Sequence, residues 1–457
     1  MGVMVPTEDI LAKAKEEKVD VIGLSGLITP SLDRMVEVAS EMTRQGFEVP
    51  LLIGGATTSK KHTALKIAPE YEHGVIHVDD ASKAVGVVSR LLSKDRKAQY
   101  LAEIGEDQDT ARAAGARATE RPTLPIAEAR DNAFAWDWAA QAPETPNVTG
   151  RHVIEGIAVR DLIPWIDWSP FFWTWEMRGL YPAILDDPDK GETARELHGR
   201  ALEMLDRIAD EKWFRPRAAL GLWPANREGD DVVVWADENR RKRAATFHML
   251  RQQGVKSKGR DRPNQCLADF VAPEGVPDWV GGFAVTAGPE VHEISDRFKA
   301  DGNDYDSIMV QALADRLAEA MAEWLHARVR REFWGYAPDE SLDPQAIIEE
   351  KYRGIRPAPG YPACPDHTEK RTLFRMLDAE ATTGLKLTES CAMWPAAAVS
   401  GLYFGHPEAR YFGVGRIGRD QVEDYARRKG MTPSEVETWL APNLAYTPEK
   451  REMRETA

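Results

Sequence analysis

Short β-branched runs that alternate with amphipathic stretches constrain the fold of the first 93 residues more than any other feature. The runs cover residues 19–24, 50–53 and 74–78. Each is followed by about 15 to 20 residues in which apolar side chains recur with helical spacing. Parallel strands need a crossover of this kind, whereas antiparallel strands can be joined by a tight turn. The alternation therefore predicts an α/β domain built on a parallel sheet over residues 1–93.

The composition changes after residue 93. Between residues 94 and 150 the chain is rich in Ala, Glu and Arg, and four prolines interrupt any long helix. We expect a helical linker over 94–117 and then an extended strap. Residues 118–457 combine Trp- and Phe-rich strand candidates, at 232–236 and 283–287, with a regular helical pattern over 305–331. This second part is expected to be an α+β domain.

Composition and charge exclude several classes of protein. Hydrophobic residues make up 43% of the chain and charged residues 29%, which is typical of globular proteins, and no apolar run is long enough to span a bilayer. The net charge of −15 disfavours a phosphate backbone as partner. Cys266, Cys364 and Cys391 have neither disulfide nor zinc-site spacing. We expect a cytoplasmic protein that binds neither membranes nor nucleic acids.

Small and polar residues follow each predicted strand of the first domain, at residues 25–29, 54–57 and 79–82. Ligands of open parallel sheets bind beyond the carboxyl ends of the strands. Glycines there let a flat ligand approach the backbone, and Ser25 and Thr29 offer hydroxyl groups. The sequence is consistent with a site for a planar ligand. The alternative is that these residues form ordinary turns and helix caps.

Two of these segments carry a family resemblance. VIGLSGLITPSL at 21–32 and LIGGATTS at 52–59 resemble the corrinoid-binding domain of the cobalamin-dependent methionine synthase family. The resemblance implies a truncated, Rossmann-like or flavodoxin-like parallel sheet and a cobalamin cofactor, carried as methylcobalamin. It also implies that Ser25, Thr29 and Ala81 contact the nucleotide side of that cofactor.

One departure from the family pattern concerns the metal. The family's DxHxxG loop, whose histidine is the lower cobalt ligand, is not found in this sequence, and residues 2–6 match the segment that follows the loop. The resemblance therefore assigns no metal ligand here and places the cobalt ligand upstream. His62, His73 and His77 lack the DxHxxG context and are expected to have structural or solvated roles.

Two patterns in the second domain suit a cationic ligand that carries a carboxylate. The segment RPAPGYPACP at 356–365 is stiffened by prolines and leaves backbone carbonyls as acceptors. Asp315 and Glu319 lie four residues apart, hence on one helix face, and their mutual repulsion invites a cationic partner. The alternatives are a rigid connector and a surface ion pair made with Arg316 or Arg356.

A third pattern surrounds Asp167. The segment WIDWSPFFWTW at 165–175 places four tryptophans and two phenylalanines around one carboxylate. Aromatic faces attract cations, and a carboxylate among them is partly desolvated and needs a charged partner. The alternative is that Asp167 caps a helix beside a cluster of core aromatics.

These motifs resemble the activation domain of the same family from about residue 118 to the end. Further matching stretches are FAVTAG at 283–288, ESCAMWP at 389–395 and DQVEDYARRKGM at 420–431. The resemblance implies an S-adenosylmethionine site, with Arg356 paired to the ligand carboxylate and two acidic residues facing its cationic side. The residues implied as contacts are Asp167, Glu319, Arg356, Tyr361, Tyr411 and Phe412.

The resemblance implies methionine synthase chemistry, in which a methyl group moves from methyltetrahydrofolate to cobalamin and then to homocysteine. This chain would hold the reactivation part, where S-adenosylmethionine methylates the cofactor after a flavodoxin-type or other flavoprotein supplies one electron. No catalytic side chain is assigned, because the reacting groups belong to the cofactors. Zinc and folate would belong to upstream homocysteine and folate domains, so this chain alone is expected not to turn over. The alternative is a stand-alone S-adenosylmethionine sensor or reactivation module for a separate corrinoid protein.

Overall fold

The structure, a computed structural model, describes residues 5–26, 30–55, 57–93, 95–119, 122–256 and 262–448. The chain divides into two compact units. The first unit comprises residues 1–125, 253–257 and 416–457, and the second comprises 126–252 and 258–415. The domain boundaries at residues 93 and 117 stay predictions.

Helices and strands alternate at first and then segregate along the chain. The helices are α1 (Thr7–Glu17), α2 (Pro30–Arg44), α3 (Lys60–His62), α4 (Ala81–Leu92), α5 (Lys97–Thr119), α6 (Ile126–Asp131), α7 (Val159–Leu162), α8 (Ser169–Thr174), α9 (Gly191–Asp210), α10 (Glu290–Ala300), α11 (Asp304–Arg328), α12 (Pro344–Ile348), α13 (Glu369–Leu377), α14 (Ala379–Thr383), α15 (Arg419–Lys429) and α16 (Pro433–Trp439). The strands are β1 (Ile22–Ser25), β2 (Leu51–Gly54), β3 (Val75–His77), β4 (Gly150–Ile154), β5 (Arg217–Glu228), β6 (Asp231–Trp235), β7 (Arg243–His248), β8 (Asp278–Thr286), β9 (Lys386–Leu387), β10 (Met393–Trp394) and β11 (Ala398–Tyr403).

The first unit contains a three-stranded parallel sheet in the order β1-β2-β3. The central strand β2 is buried over Leu51, Leu52 and Ile53, as expected for a parallel strand covered on both faces. Leu11 of α1 and Met42 of α2 are fully buried in the same core. The predicted α/β class and the parallel direction of the strands are confirmed.

Segments from the middle and the end of the chain complete the first unit. Gln253 joins three of them: its amide nitrogen donates to the Leu124 carbonyl (2.8 Å) and to Asp420 Oδ1 (3.0 Å), and its amide oxygen accepts from the Gly418 N–H (2.7 Å). Helix α16 packs against α2. These contacts join residues that are far apart in sequence.

The second unit contains a six-stranded antiparallel sheet of order β11-β8-β5-β6-β7, in which β4 also pairs with β5. Strand β8 is buried along its whole length. Its Gly281 is required by close packing, because a Cβ atom there would lie 2.8 Å from Leu222 and 2.9 Å from Tyr403. The strand candidates at 232–236 and 283–287 correspond to β6 and to the end of β8.

The long helix α11 packs against α10 and the sheet of the second unit. It begins one residue before the predicted helix and continues beyond Arg328 as a π-helical turn over Val329–Phe333. The predicted apolar face is buried, at Val310, Leu313, Leu317, Met321 and Leu325. The α+β class is confirmed. Within the described ranges no helix is long and apolar enough to cross a membrane.

Candidate cofactor-binding sites

Three acidic side chains stand four residues apart on α11: Asp315, Glu319 and Glu323. Glu323 forms an ion pair with the Arg356 guanidinium, and the two side chains are 21% and 16% exposed. Arg356 therefore pairs with Glu323. The alternative considered from the sequence, an ion pair of Arg356 with Asp315 or Glu319, is wrong. Glu323 belongs to none of the motifs singled out in the sequence, although the four-residue spacing of the acidic row extends to it.

Burial and charge act against each other in this pair. Burial raises the pKa of Glu323, and Arg356 opposes that shift. Burial also disfavours the charged guanidinium of Arg356, but Glu323 and the nearby Tyr352, Tyr411 and Tyr403 together outweigh it, so the Arg356 pKa is raised and the side chain stays charged. Arg356 therefore keeps its positive charge beside the acidic row of α11.

The hydrogen-bonding capacity of the pair is not exhausted. Glu323 Oε2 and Arg356 Nε are both buried and have no hydrogen-bond partner among the described residues. A buried polar atom without a partner costs about 1–3 kcal/mol. The pair therefore offers one donor and one acceptor to a ligand that carries both kinds of group, such as an α-amino acid.

Three tyrosines lie near Arg356. The Tyr411 hydroxyl accepts a hydrogen bond from the Arg356 backbone N–H (3.0 Å) and lies 3.4 Å from the Tyr352 hydroxyl. Tyr361 is 64% exposed. Partial burial and the Glu319 carboxylate raise the Tyr361 pKa while Arg356 lowers it, so the three groups share one electrostatic environment. The structure thus brings together Glu319, Arg356, Tyr361 and Tyr411, and adds Tyr352, which the sequence motifs did not indicate.

The proline segment lies beside β11, and two of its backbone carbonyls accept hydrogen bonds from other parts of the protein. The Pro357 carbonyl accepts from the Leu402 N–H of β11 (2.9 Å), and the Pro362 carbonyl accepts from the Val414 N–H (2.8 Å). The expectation that these backbone acceptors stay free is therefore wrong at both positions, because the segment is anchored to its neighbours. Its stiffness instead fixes Arg356 and Tyr361.

Asp167 sits at the start of a helix. Its carboxylate accepts from the Ser169 N–H (3.0 Å) at the beginning of α8. The neighbouring aromatic side chains Trp168, Phe171 and Phe172 are buried in the core of the second unit, whereas Trp173 is 51% exposed. The aromatic residues therefore serve mainly the core. Helix α8 itself packs against α11.

Phe412 follows Tyr411 directly and is half-buried. Its ring lies 6.4 Å from the ring of Phe270 in an edge-to-face arrangement. Its contact with the aromatic core leaves the backbone of Tyr411 and Phe412 firmly positioned. The structure shows no direct contact between Phe412 and Arg356 among the interactions of the described residues.

The strand ends of the first unit approach each other closely. A Cβ atom on Gly55, whose φ is +103°, would lie 2.3 Å from the carbonyl oxygen of Gly26. Ser25 ends β1 and Ala81 begins α4, while Thr29 lies outside the described residues. The glycine at position 55 is therefore required by the close approach of the ends of β1 and β2.

His77 lies at this edge but is held by the protein. Its Nε2 lies 3.0 Å from the Thr58 hydroxyl and its Nδ1 lies 3.1 Å from Asp79 Oδ1. Burial lowers the pKa of His77, although Asp79 opposes the shift. Among the described residues, no group of three or more His, Cys, Asp or Glu side chains is arranged to hold a metal ion.

An open parallel α/β unit and an α+β unit with an incompletely paired arginine are the features of a two-part cofactor-binding protein. Residues 158–430 match the family model described as vitamin B12 dependent methionine synthase, activation domain, and residues 1–80 match the B12 binding domain model. The chain belongs to the vitamin B12-dependent methionine synthase family, as the sequence resemblance predicted.

A solved structure agrees with this assignment. The chain resembles a crystal structure described as the MetH reactivation domain bound to AdoHcy, with 53% sequence identity and a TM-score of 0.69. The match covers 71% of this chain and the whole of the other. The likeness therefore extends across a complete reactivation domain.

Proposed function

We propose that the second unit binds S-adenosylmethionine at Arg356 and serves the reactivation of a cobalamin cofactor in methionine synthase. The observation that carries the proposal is the buried Arg356–Glu323 pair with one donor and one acceptor unused. The similarity to a reactivation domain bound to AdoHcy supports it. When bound, S-adenosylmethionine supplies the methyl group that returns the reduced cofactor to methylcobalamin.

The residues around Arg356 would divide the recognition of the ligand between them. The Arg356 guanidinium would bind the ligand carboxylate, for which its planar fork is suited. Glu319, exposed on the same helix as Glu323, would face the cationic side of the ligand, as would Asp167. Tyr361, Tyr411 and Phe412 would line the site for the adenosine. Orientation, and not acid or base catalysis, is the contribution of these side chains.

The first unit would hold cobalamin at its strand ends. Ser25 ends β1 and Ala81 begins the helix that follows β3, so both stand after the carboxyl ends of parallel strands or at them. Thr29, outside the described residues, is proposed as a further contact. The family's other modules would supply homocysteine, folate and zinc binding, and a flavodoxin-type protein would supply the electron. We propose a cytoplasmic location for this system.

Calorimetric titration with S-adenosylmethionine and S-adenosylhomocysteine tests the proposal. The two ligands share the carboxylate, so Arg356→Ala should weaken both by at least about tenfold, since a charge-assisted hydrogen bond contributes about 1.5–3 kcal/mol. Arg328→Ala is the matched control, because it removes an arginine that pairs with another glutamate, Glu332, at the surface. Unchanged binding in Arg356→Ala, or equal losses in both variants, would contradict the assignment.

A further inference from the structure

A cavity of about 310 Å³ lies within the second unit, apart from the proposed S-adenosylmethionine site. None of the six residues assigned to that site lines it. Six of its fourteen lining residues are aromatic, namely Trp136, Trp138, Phe270, Trp279, Trp334 and His406. This volume is at the lower end of the range of ligand cavities, which is about 300–1,000 Å³.

His406 provides a polar atom inside this aromatic wall. The residue is 6% exposed, and its ring meets those of Trp136 (4.6 Å) and Trp138 (5.1 Å) edge to face. Its Nδ1 accepts a hydrogen bond from the Glu408 N–H (3.0 Å), so the proton of the neutral ring is on Nε2. Nε2 is buried and has no hydrogen-bond partner within the described ranges. The wall therefore presents one unused N–H donor.

The protonation state of His406 is fixed by its surroundings. Burial, assisted by Arg353 and opposed by Glu144, lowers the pKa of His406 to about 4. The imidazole is therefore neutral at physiological pH. A neutral donor in an aromatic wall selects a ligand atom that accepts a hydrogen bond.

The charged residues of the cavity are already paired within the protein. Arg353 binds the Glu144 carboxylate with two hydrogen bonds, of 2.7 and 2.6 Å. The two oxygens of Asp278 accept from the backbone N–H groups of Ala272 (2.7 Å) and Trp279 (2.7 Å). Among the described residues that line the cavity, Arg353 and Glu144 neutralise each other, and burial raises the pKa of Asp278 to about 7, which disfavours its charged form, so the lining does not favour an ionic ligand. Arg353 Nε is a second buried donor without a partner among the described residues.

We propose that this cavity binds a neutral, planar heteroaromatic molecule of about two fused rings, which accepts a hydrogen bond from His406 Nε2. The indole faces of Trp136 and Trp138 would stack on the ligand, since aromatic pairs in offset arrangements attract each other. The hydrogen bond from His406 Nε2 would set the orientation of the ring. The cavity shares no lining residue with the proposed S-adenosylmethionine site, although its Phe270 packs against Phe412, and binding at either site is tested separately.

Quinoline and indole are suitable probes, because both are neutral bicyclic molecules of similar size and only quinoline carries a ring nitrogen that accepts a hydrogen bond. Their binding is measured by saturation-transfer NMR and by quenching of tryptophan fluorescence on the full chain at neutral pH. We expect saturable binding of quinoline that is about tenfold tighter than that of indole, because one hydrogen bond is worth about 1 kcal/mol or more in a buried site.

Variants separate the proposed site from general aromatic stickiness. His406→Phe should weaken quinoline about tenfold and leave indole unchanged. His198→Phe makes the same change at a histidine that packs 4.5 Å from Trp168, outside the cavity, and should change neither. If His406→Phe lowers the unfolding temperature, Trp138→Leu takes its place and should weaken both probes. Equal affinity for the two probes, or quinoline binding that survives both cavity variants, overturns the proposal.

Discussion

The Arg356–Glu323 pair allows a prediction with a definite magnitude for Glu323→Gln. This change keeps the shape of the side chain and removes its charge, so Arg356 is left as a largely buried cation without its counterion. Breaking a fully buried pair costs about 3–5 kcal/mol, whereas an exposed pair is worth about 0–1 kcal/mol. The two side chains are 21% and 16% exposed, which places them between these limits. We expect a loss of about 2 kcal/mol in the free energy of unfolding.

Thermal unfolding measures this loss. For a domain of this size, about 2 kcal/mol corresponds to a fall of about 4–8 °C in Tm. Glu332→Gln is the matched control, because Glu332 pairs with Arg328 at 2.8 Å and both side chains are more exposed, at 50% and 28%. Its Tm should fall by no more than about 2 °C, as expected for a surface pair.

The ligand should restore what the variant loses. If Arg356 binds the carboxylate of S-adenosylhomocysteine, the ligand supplies the counterion that Glu323→Gln removes. Saturating S-adenosylhomocysteine should then raise the Tm of Glu323→Gln by more than it raises that of the wild type. A variant as stable as Glu332→Gln would show that the ion pair is unimportant. Equal ligand-induced shifts would show that the ligand carboxylate binds elsewhere.

Three further predictions concern the two units. Arg356→Lys keeps the charge but loses the planar fork, so it should weaken the binding of S-adenosylmethionine and S-adenosylhomocysteine nearly as much as Arg356→Ala does, as measured by calorimetry. Wild-type affinity in Arg356→Lys would exclude a forked contact. Burial raises the pKa of Asp278 to about 7, so the folded state holds a proton that the unfolded state releases above about pH 4. The free energy of unfolding should fall by about 1.4 kcal/mol per pH unit from this group as the pH rises from about 4 to about 7. Urea unfolding at several pH values should show this slope in the wild type and not in Asp278→Asn. Gly55→Ala places a Cβ atom 2.3 Å from the Gly26 carbonyl oxygen at a φ of +103°. The first unit should therefore be destabilised and be cleaved faster by a protease. Gly46→Ala is the control for the strain of positive φ alone, because the space around Gly46 is open.

Local patterns predicted the elements well. The alternation of β-branched runs and helices predicted a parallel sheet, and the apolar spacing predicted α11 to within a few residues. The motifs around residues 52–59 and 420–431 predicted the family. These features follow from periodicity and spacing within short stretches, which the sequence displays directly.

The partners of individual side chains were decided by the tertiary structure. The sequence placed Asp315 and Glu319 on one face, but only the packing of the proline segment against α11 selects Glu323 as the partner of Arg356. The aromatic residues that follow Asp167 suggested a cation site, but most of them are buried in the core of the second unit. His406 carries no motif, and its unused donor exists because loops far apart in sequence enclose it. Sequence spacing determines which face of an element is buried, whereas the choice of partner depends on contacts between residues that the sequence does not place side by side.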